Sequence, residues 1–124
     1  ETSLMNYIAP VLTRSQLLHE GILIDVSELA AQVGFDVPMD VSVTLYDDYL
    51  ANPQADISTA CNILNTLSVL RDDVARNPMS GRIHFSMIYP IAGRFEIVPI
   101  IATMADHGEG LSGTLYQESD LSED

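Results

Sequence analysis

A stripe of apolar residues at helical spacing is the strongest pattern in this sequence. Between residues 57 and 76, apolar side chains recur every three or four positions, and most of the polar side chains lie between them. This spacing is typical of an amphipathic helix that packs against a core. Asp56 ends the preceding loop with a good N-cap residue. We therefore predict a long helix at residues 57–76, whose apolar stripe consists of Ala60, Ile63, Leu64, Leu67, Leu70 and Val74.

Two shorter helices and an apolar run precede this helix. Thr13 and Gln16 have the spacing of a capping box, in which two side chains satisfy free N–H groups at a helix start. Gly21 suits the left-handed conformation that ends a helix. The run ILIDV at residues 22–26 is apolar and largely β-branched, which predicts a short buried strand or extended segment. The two helices are predicted at residues 13–20 and 27–33.

The segment around residues 40–50 fits two patterns equally well. Val41, Val43 and Leu45 alternate with polar residues, as in a strand. Val41, Leu45 and Tyr49 are also spaced four residues apart, as on one face of a helix, and Asp40 stands at the position of an N-cap. The pattern by itself does not decide between the two structures.

The C-terminal third has the alternation of β-strands, separated by glycine-containing turns. Strands are predicted at residues 82–89, 94–104 and 111–117. Because helices come first and a meander of strands comes last, we predict an α+β fold with the helices on one face of an antiparallel sheet. Residues 1–117 then form one domain, and the acidic residues 118–124 form a disordered tail. The helices expected to pack on this three-stranded meander are residues 13–20, 27–33, 41–50 and 57–76.

The charge of the chain is its most unusual property. Eighteen acidic residues face five arginines and no lysine, which gives a net charge of −13. Such a chain repels phosphates, so direct binding of DNA or RNA is not expected. No apolar run approaches the length of a membrane span. Three interpretations of the charge remain open: solubility, adaptation to high salt, and an acidic surface that binds a basic partner or imitates nucleic acid.

The sequence shows few patterns that indicate a catalytic or metal-binding site. The sequence contains no nucleotide-binding glycine motif and no zinc motif, and no nucleophile motif supports a serine triad. Asp106, His107 and Glu109 lie together in the sequence and could hold a divalent metal, although a polar hairpin turn fits them better. Cys61 lies in the helical pattern, where we expect a small buried residue. We therefore predict no cofactor, no metal site and no catalytic residue. The single cysteine and the lack of a signal-peptide pattern favour the cytoplasm.

Acidic residues also occur as pairs and at spacings that suit a binding surface. Two carboxylates that are adjacent on a helix diverge by about 100°, so neither pair converges on a catalytic pocket by itself. Asp40 and Asp47 would share a face if their segment were helical. The acidic patch predicted to bind a partner consists of Asp36, Asp40, Asp47, Asp48, Asp72 and Asp73.

The N-terminal half resembles a family of small bacterial, plasmid and phage proteins whose domain has no known function. That family carries the pattern TRAQA…DGVLIDVSE…AGF…PVALT…VW, and the later helix, aromatic strand and acidic end are similar too. The resemblance implies a mobile-element setting and favours a helix at residues 41–50. This chain lacks the tryptophan of the pattern, and Tyr46 stands near its place. The matching positions are Thr13, Arg14, Gln16, Gly21, Leu23, Ile24, Asp25, Val26, Ser27, Glu28, Gly34, Phe35 and Pro38.

Charge and resemblance together favour a non-enzymatic accessory protein. It would bind and inhibit a basic, nucleic-acid-binding host protein, in the manner of an anti-defence protein or a DNA mimic. One alternative is a small metal-dependent hydrolase or nuclease with a dispersed site drawn from Asp25, Glu28, Asp106 and His107. Another is a structural subunit of a larger complex. The sequence leaves the oligomeric state open, and a homodimer is compatible with it.

Overall fold

A five-stranded sheet with four helices forms the described part of the chain. The computed structural model describes residues 12–77, 81–106 and 109–121, so residues 1–11 and 122–124 and two short internal segments lie outside this description. None of the described helices has both the length and the apolar character of a transmembrane span. In chain order the elements are α1 (Arg14–His19), β1 (Leu23–Asp25), α2 (Ser27–Gln32), β2 (Met39–Ser42), α3 (Val43–Leu45, continued by a π-helical turn at Tyr46–Leu50), α4 (Thr59–Arg76), β3 (Arg82–Ile91), β4 (Arg94–Asp106), β5 (Leu111–Gln117) and a 3₁₀ turn (Glu118–Leu121).

The predicted meander is present but is only part of the sheet. The strand order is β1-β2-β5-β4-β3. Strands β3, β4 and β5 pair antiparallel, as expected. Strand β5 also pairs in parallel with β2, and β2 pairs antiparallel with β1. The fold is therefore α+β as predicted, whereas the count of three strands was too low because β2 joins the N-terminal half to the sheet.

Residues 39–50 contain both structures that the pattern allowed. Strand β2 ends at Ser42, and the helical turns begin at Val43. The Ser42 side chain accepts a hydrogen bond from the Leu45 N–H at 3.2 Å, so Ser42 is the N-cap. The prediction of a helix over 41–50 is wrong for its first two residues, because β2 lies buried between two other strands.

The helices cover both faces of the sheet. Neighbouring residues of a strand point to opposite faces. Leu115 belongs to the main core under α2 and α4, while Tyr116 belongs to a second cluster with Leu17 of α1 and Leu23 of β1. We call the face with the main core the inner face and the other the outer face. The prediction that all helices lie on one face is wrong for α1.

The predicted capping box and glycine stop of α1 are confirmed, whereas the start of α4 differs from the prediction. Thr13 and Gln16 form both hydrogen bonds of the predicted capping box. Gly21 follows α1 with φ of +75°, as predicted for a glycine at a helix end. Helix α4 begins at Thr59 and not at residue 57, and Ser58 caps it by accepting a hydrogen bond from the Cys61 N–H, so the predicted N-cap at Asp56 is wrong. The Cys61 side chain is exposed, so the expectation of a buried cysteine is wrong.

Part of the predicted tail is folded. Residues Glu118–Leu121 form a 3₁₀ turn. The Asp120 carboxylate accepts hydrogen bonds from the Ser42 hydroxyl at 2.8 Å and from the Thr44 hydroxyl at 2.6 Å. An acidic residue that was expected to be disordered therefore connects the C-terminal segment to the start of α3. Residues 122–124 lie outside the described residues.

Candidate partner-binding surface

The six predicted binding residues have different environments. Asp36 follows α2, Asp40 lies in β2, Asp47 and Asp48 lie in the π-helical turn, and the other two lie in α4. Four of the six are exposed, one is half-buried and one is buried. The exposed residues are Asp36, Asp47, Asp48 and Asp72, the half-buried one is Asp73, and the buried one is Asp40.

Asp40 is not a surface residue. Its side chain is 0% exposed and lies on the outer face beneath α1. Arg14 binds it with two hydrogen bonds, from Nε to Oδ2 at 2.8 Å and from Nη2 to Oδ1 at 2.7 Å. The shared helical face with Asp47 does not exist, because Asp40 belongs to a strand. Its assignment to the acidic patch is therefore wrong, and its role is to hold α1 on the sheet.

Arg14 also joins Asp25 to this cluster. Arg14 Nη2 lies 3.2 Å from Asp25 Oδ1. The hydrogen bond with Asp40 raises the pKa of Arg14, and this effect outweighs the partial burial of the guanidinium. Partial burial acts to raise the pKa of Asp25, but hydrogen bonds from Ser27 and the charge of Arg14 outweigh it, and the net pKa is lowered. Both groups are therefore held in their charged forms.

The lowered pKa of Asp25 predicts a specific acid dependence of stability. Charged Asp25 should stabilise the fold fully above its unfolded pKa of about 3.9, and this contribution should disappear as the pH falls through the lower folded pKa. Asp25→Asn keeps the shape but removes the charge. The side chain is 52% exposed, so we expect the variant to lose less than about 1 kcal/mol at neutral pH. Urea unfolding of both proteins at several pH values measures this difference. A difference that stays constant down to about pH 3 would contradict the assignment.

Two of the other predicted acids already have partners. The Gln117 side chain donates a hydrogen bond to Asp48 at 3.0 Å. Asp73 pairs with Arg76 one turn later in α4. In the described part of the chain, no hydrogen bond or ion pair is found for Asp36, Asp47 or Asp72. Among the six predicted residues, these three carboxylates are therefore the ones for which the described part of the fold shows no partner.

The structure does not bring the predicted acids into one patch. Asp36 lies beside Gly81 and Ile83, at the start of β3. Asp47 and Asp48 lie beside Ile91, at the end of β3. The ten residues of β3 span about 30 Å at roughly 3.3 Å per residue. The acidic side chains are thus divided between the two ends of the β3–β4 hairpin.

A shallow polar depression lies at the turn end of this hairpin. It is lined by Asp47, Asp48 and Glu96, with Arg94 beside them. Arg94 Nη2 is 3.4 Å from Glu96 Oε2, and both side chains are substantially exposed. Three carboxylates and one arginine therefore line this depression, so its net charge is negative.

An exposed apolar patch lies on the outer face of the same hairpin. Ile88 and Ile97 are direct partners across β3 and β4, and Phe95 is two residues from Ile97 on the same face. Their exposed fractions are 58% for Ile88, 71% for Ile97 and 78% for Phe95. We call these three residues the hairpin patch. Contiguous exposed apolar side chains of this kind mark interaction surfaces more often than single ones do.

The hairpin patch was not predicted, although the sequence contains a signal for it. In RFEIVPIIATM, apolar residues occupy both alternating sets of positions. Val98 and Ile100 are buried in the main core, whereas Phe95 and Ile97 point to the other face. A strand that is apolar on both sides must either be covered twice or expose one side.

The residues of the alternative hydrolase site are held in other interactions or lie at the surface. Asp25 is paired with Arg14, and Glu28 is exposed in the first turn of α2. Asp106 is exposed and accepts a hydrogen bond from the Gly110 N–H at 3.2 Å. In the same loop, Glu109 accepts hydrogen bonds from the Ser15 N–H and hydroxyl, which lower its pKa. His107 lies outside the described residues. Within the described ranges, no three potential ligands cluster as a metal site would require.

Comparison with known proteins yields no relative. The chain matches no protein-family model, no curated protein sequence and no solved structure. The resemblance to the mobile-element family therefore stays a prediction.

Proposed function

We propose that this protein is a non-enzymatic, cytoplasmic accessory protein of phage or mobile-element type that binds and inhibits a basic, nucleic-acid-binding host protein. The observation that carries the proposal is the hairpin patch beside the acidic turn end of the β3–β4 hairpin. Phe95 would be the centre of the contact, and the acidic depression, which lies at the same end of the hairpin on the inner-face side, would attract the partner over a longer range.

The hairpin patch has the properties of an interface centre. Binding energy concentrates in a few aromatic and aliphatic side chains that become fully buried, while surrounding groups exclude water. Phe95 is an aromatic residue with 78% exposure, so a partner could bury most of it. At Phe95 its strand pairs with β3, where Phe95 lies opposite Pro90, so the regular hairpin holds the side chain on the outer face.

The charge indicates what kind of partner would fit. Asp47, Asp48 and Glu96 lie at the same end of the hairpin as Phe95, and the whole chain carries −13. Such a surface steers a basic protein towards it and repels an acidic one. A nucleic-acid-binding protein offers the required basic surface, and occupation of that surface would block its nucleic acid.

Capture from a bacterial lysate tests this function. We expect immobilised protein to retain a basic, nucleic-acid-binding protein at about 50 mM salt and to release most of it at several-fold higher salt, because ion pairing is screened. Phe95→Ser should weaken the purified complex by about ten-fold or more. Asp47→Asn with Asp48→Asn should slow association and reduce the salt dependence. Isothermal titration and stopped-flow mixing measure these changes.

A matched control separates the patch from general apolar contact. Leu111 is 53% exposed at the opposite end of the sheet, and Leu111→Ser should leave the affinity for this partner unchanged. Added protein should also displace labelled DNA or RNA from the purified partner. Equal loss of binding with both serine variants, or retention of nucleic acid by the partner, would contradict the proposal.

A structural subunit is the second candidate, because β3 is an edge strand. It lies at the end of the sheet order and carries Ile88 of the hairpin patch. Edge strands with exposed apolar side chains pair readily with other chains. A stable oligomer in light scattering that Phe95→Ser dissociates would favour this function over the first.

A further inference from the structure

A separate apolar cavity lies at the other end of the sheet. Its volume is about 560 Å³, within the roughly 300–1,000 Å³ typical of small-molecule sites. Helix α4, the segment after α2 and the strands β2–β5 all contribute to its wall. Leu111 at its lining is 53% exposed and Met104 is 38% exposed, so apolar surface remains open to solvent there. Its apolar lining includes Phe35, Val37, Leu70, Val74, Ile83 and Leu111.

Arg71 is the cationic side chain of this cavity. It projects from α4 and lies against Gly34, where a Cβ atom would be 3.1 Å from Arg71 Nε. Gly34 has φ of +102°, a conformation that side chains rarely adopt, so a glycine here both permits the turn and leaves room for the guanidinium. The lack of a side chain at Gly34 thus leaves room for the guanidinium beside the cavity.

Arg71 differs from the ion-paired arginines of the chain. Arg14, Arg76 and Arg94 each lie within ion-pair distance of a carboxylate. Among the described residues, no carboxylate is found within that distance of Arg71, although the chain has eighteen acidic residues. A planar guanidinium with unused donors matches a carboxylate with two parallel hydrogen bonds.

We propose that this cavity binds a monocarboxylate with an unbranched aliphatic chain, such as a medium-chain fatty acid. The acyl chain fills the space between Phe35, Val74 and Ile83, and the carboxylate pairs with Arg71. Met39 and Met104 add flexible side chains that adapt to chains of different length. Asp36 also lines the cavity and repels a second negative charge, so the ligand carries one carboxylate and no further anionic group.

Octanoate and octan-1-ol are the matched probes for this site, because they share the chain and differ in the head group. We expect octanoate to shift the backbone amide signals of Val37, Ile83 and Leu111 in NMR titrations. Arg71→Gln should weaken the binding of octanoate by about ten-fold, since a charge-assisted pair is lost at a partly exposed position. Binding of octan-1-ol should be weaker than that of octanoate and insensitive to the substitution.

Arg76→Gln is the matched control, because it removes one positive charge from the same helix without lining the cavity. It should change octanoate affinity less than about two-fold, the size of a weak, screened surface effect. The proposal is overturned if octanoate shifts signals elsewhere or none at all, if octan-1-ol binds equally well, or if the two arginine variants behave alike. These results do not depend on the protein-binding function, since the hairpin patch lies at the other end of the hairpin.

Discussion

Replacement of Arg14 by methionine is expected to lower the free energy of unfolding by about 3 kcal/mol. The substitution leaves the Asp40 carboxylate buried without its two hydrogen bonds from the guanidinium. A buried charge without its partner is strongly destabilising, because desolvation is no longer offset. This value is at the lower end of the range for removing one partner of a buried ion pair, because the Arg14 side chain is 18% exposed. Urea unfolding followed by circular dichroism measures it.

Two further variants show whether the effect comes from the buried pair. Arg76→Met removes an exposed ion pair within α4 and should cost less than about 0.5 kcal/mol. Adding Asp40→Val to Arg14→Met removes the buried carboxylate and should restore at least about 1 kcal/mol, as replacement of a buried pair by apolar residues often does. Equal stability of the two arginine variants would show that Asp40 tolerates the loss of its partner.

Leu67→Ala is expected to destabilise the protein by about 2–4 kcal/mol, through lost apolar burial and the cavity that remains. Leu67 is 1% exposed in the main core between α4 and the sheet. Val69 lies two residues further along the same helix and is 36% exposed. Val69→Ala should therefore change stability by no more than about 0.5 kcal/mol. Similar losses from both variants would mean that α4 does not bury the face assigned to it.

Elements fixed by local interactions could be predicted from the sequence. The capping box of Thr13 and Gln16 involves residues three apart, and the apolar stripe of α4 repeats over five turns. The turn between β3 and β4 was also predicted, and Ala92 and Gly93 both adopt positive φ there. Such signals depend on neighbours in the chain, so one sequence contains them in full.

The sequence pattern allowed strand β2 but could not decide for it, because the strands that pair with it are distant in sequence. Its four residues are all buried, and its partners are β1 and, in parallel, β5. No local pattern reports a parallel pairing, which needs a long connection. The burial of Asp40 could not be predicted for the same reason, since it follows from the strand and from α1 above it.

The sequence predicted that acidic side chains would be exposed, but it did not predict where the fold places them. Acidic exposed residues at the π-helical turn and in α4 were expected, and Asp47 and Asp72 are exposed. Their distribution between two ends of the sheet depends on topology, which composition does not contain. The hairpin patch depends on which part of the outer face α1 leaves uncovered, and that is a property of packing over the whole domain.

The hydrogen bonds between the N-terminal and C-terminal segments also show where chain closure costs the most conformational entropy. The Ser15–Glu109 and Ser42–Asp120 contacts close separations of 94 and 78 residues, while the β3–β4 turn closes over two. Loop-closure entropy rises with the logarithm of the enclosed length. The entropic cost of closure is therefore larger at the junction where α1, β1 and β2 meet β5 than at the β3–β4 turn. The carboxylates of Asp40, Glu109 and Asp120 all lie at this junction, so part of the acidity of this protein serves to join its two halves.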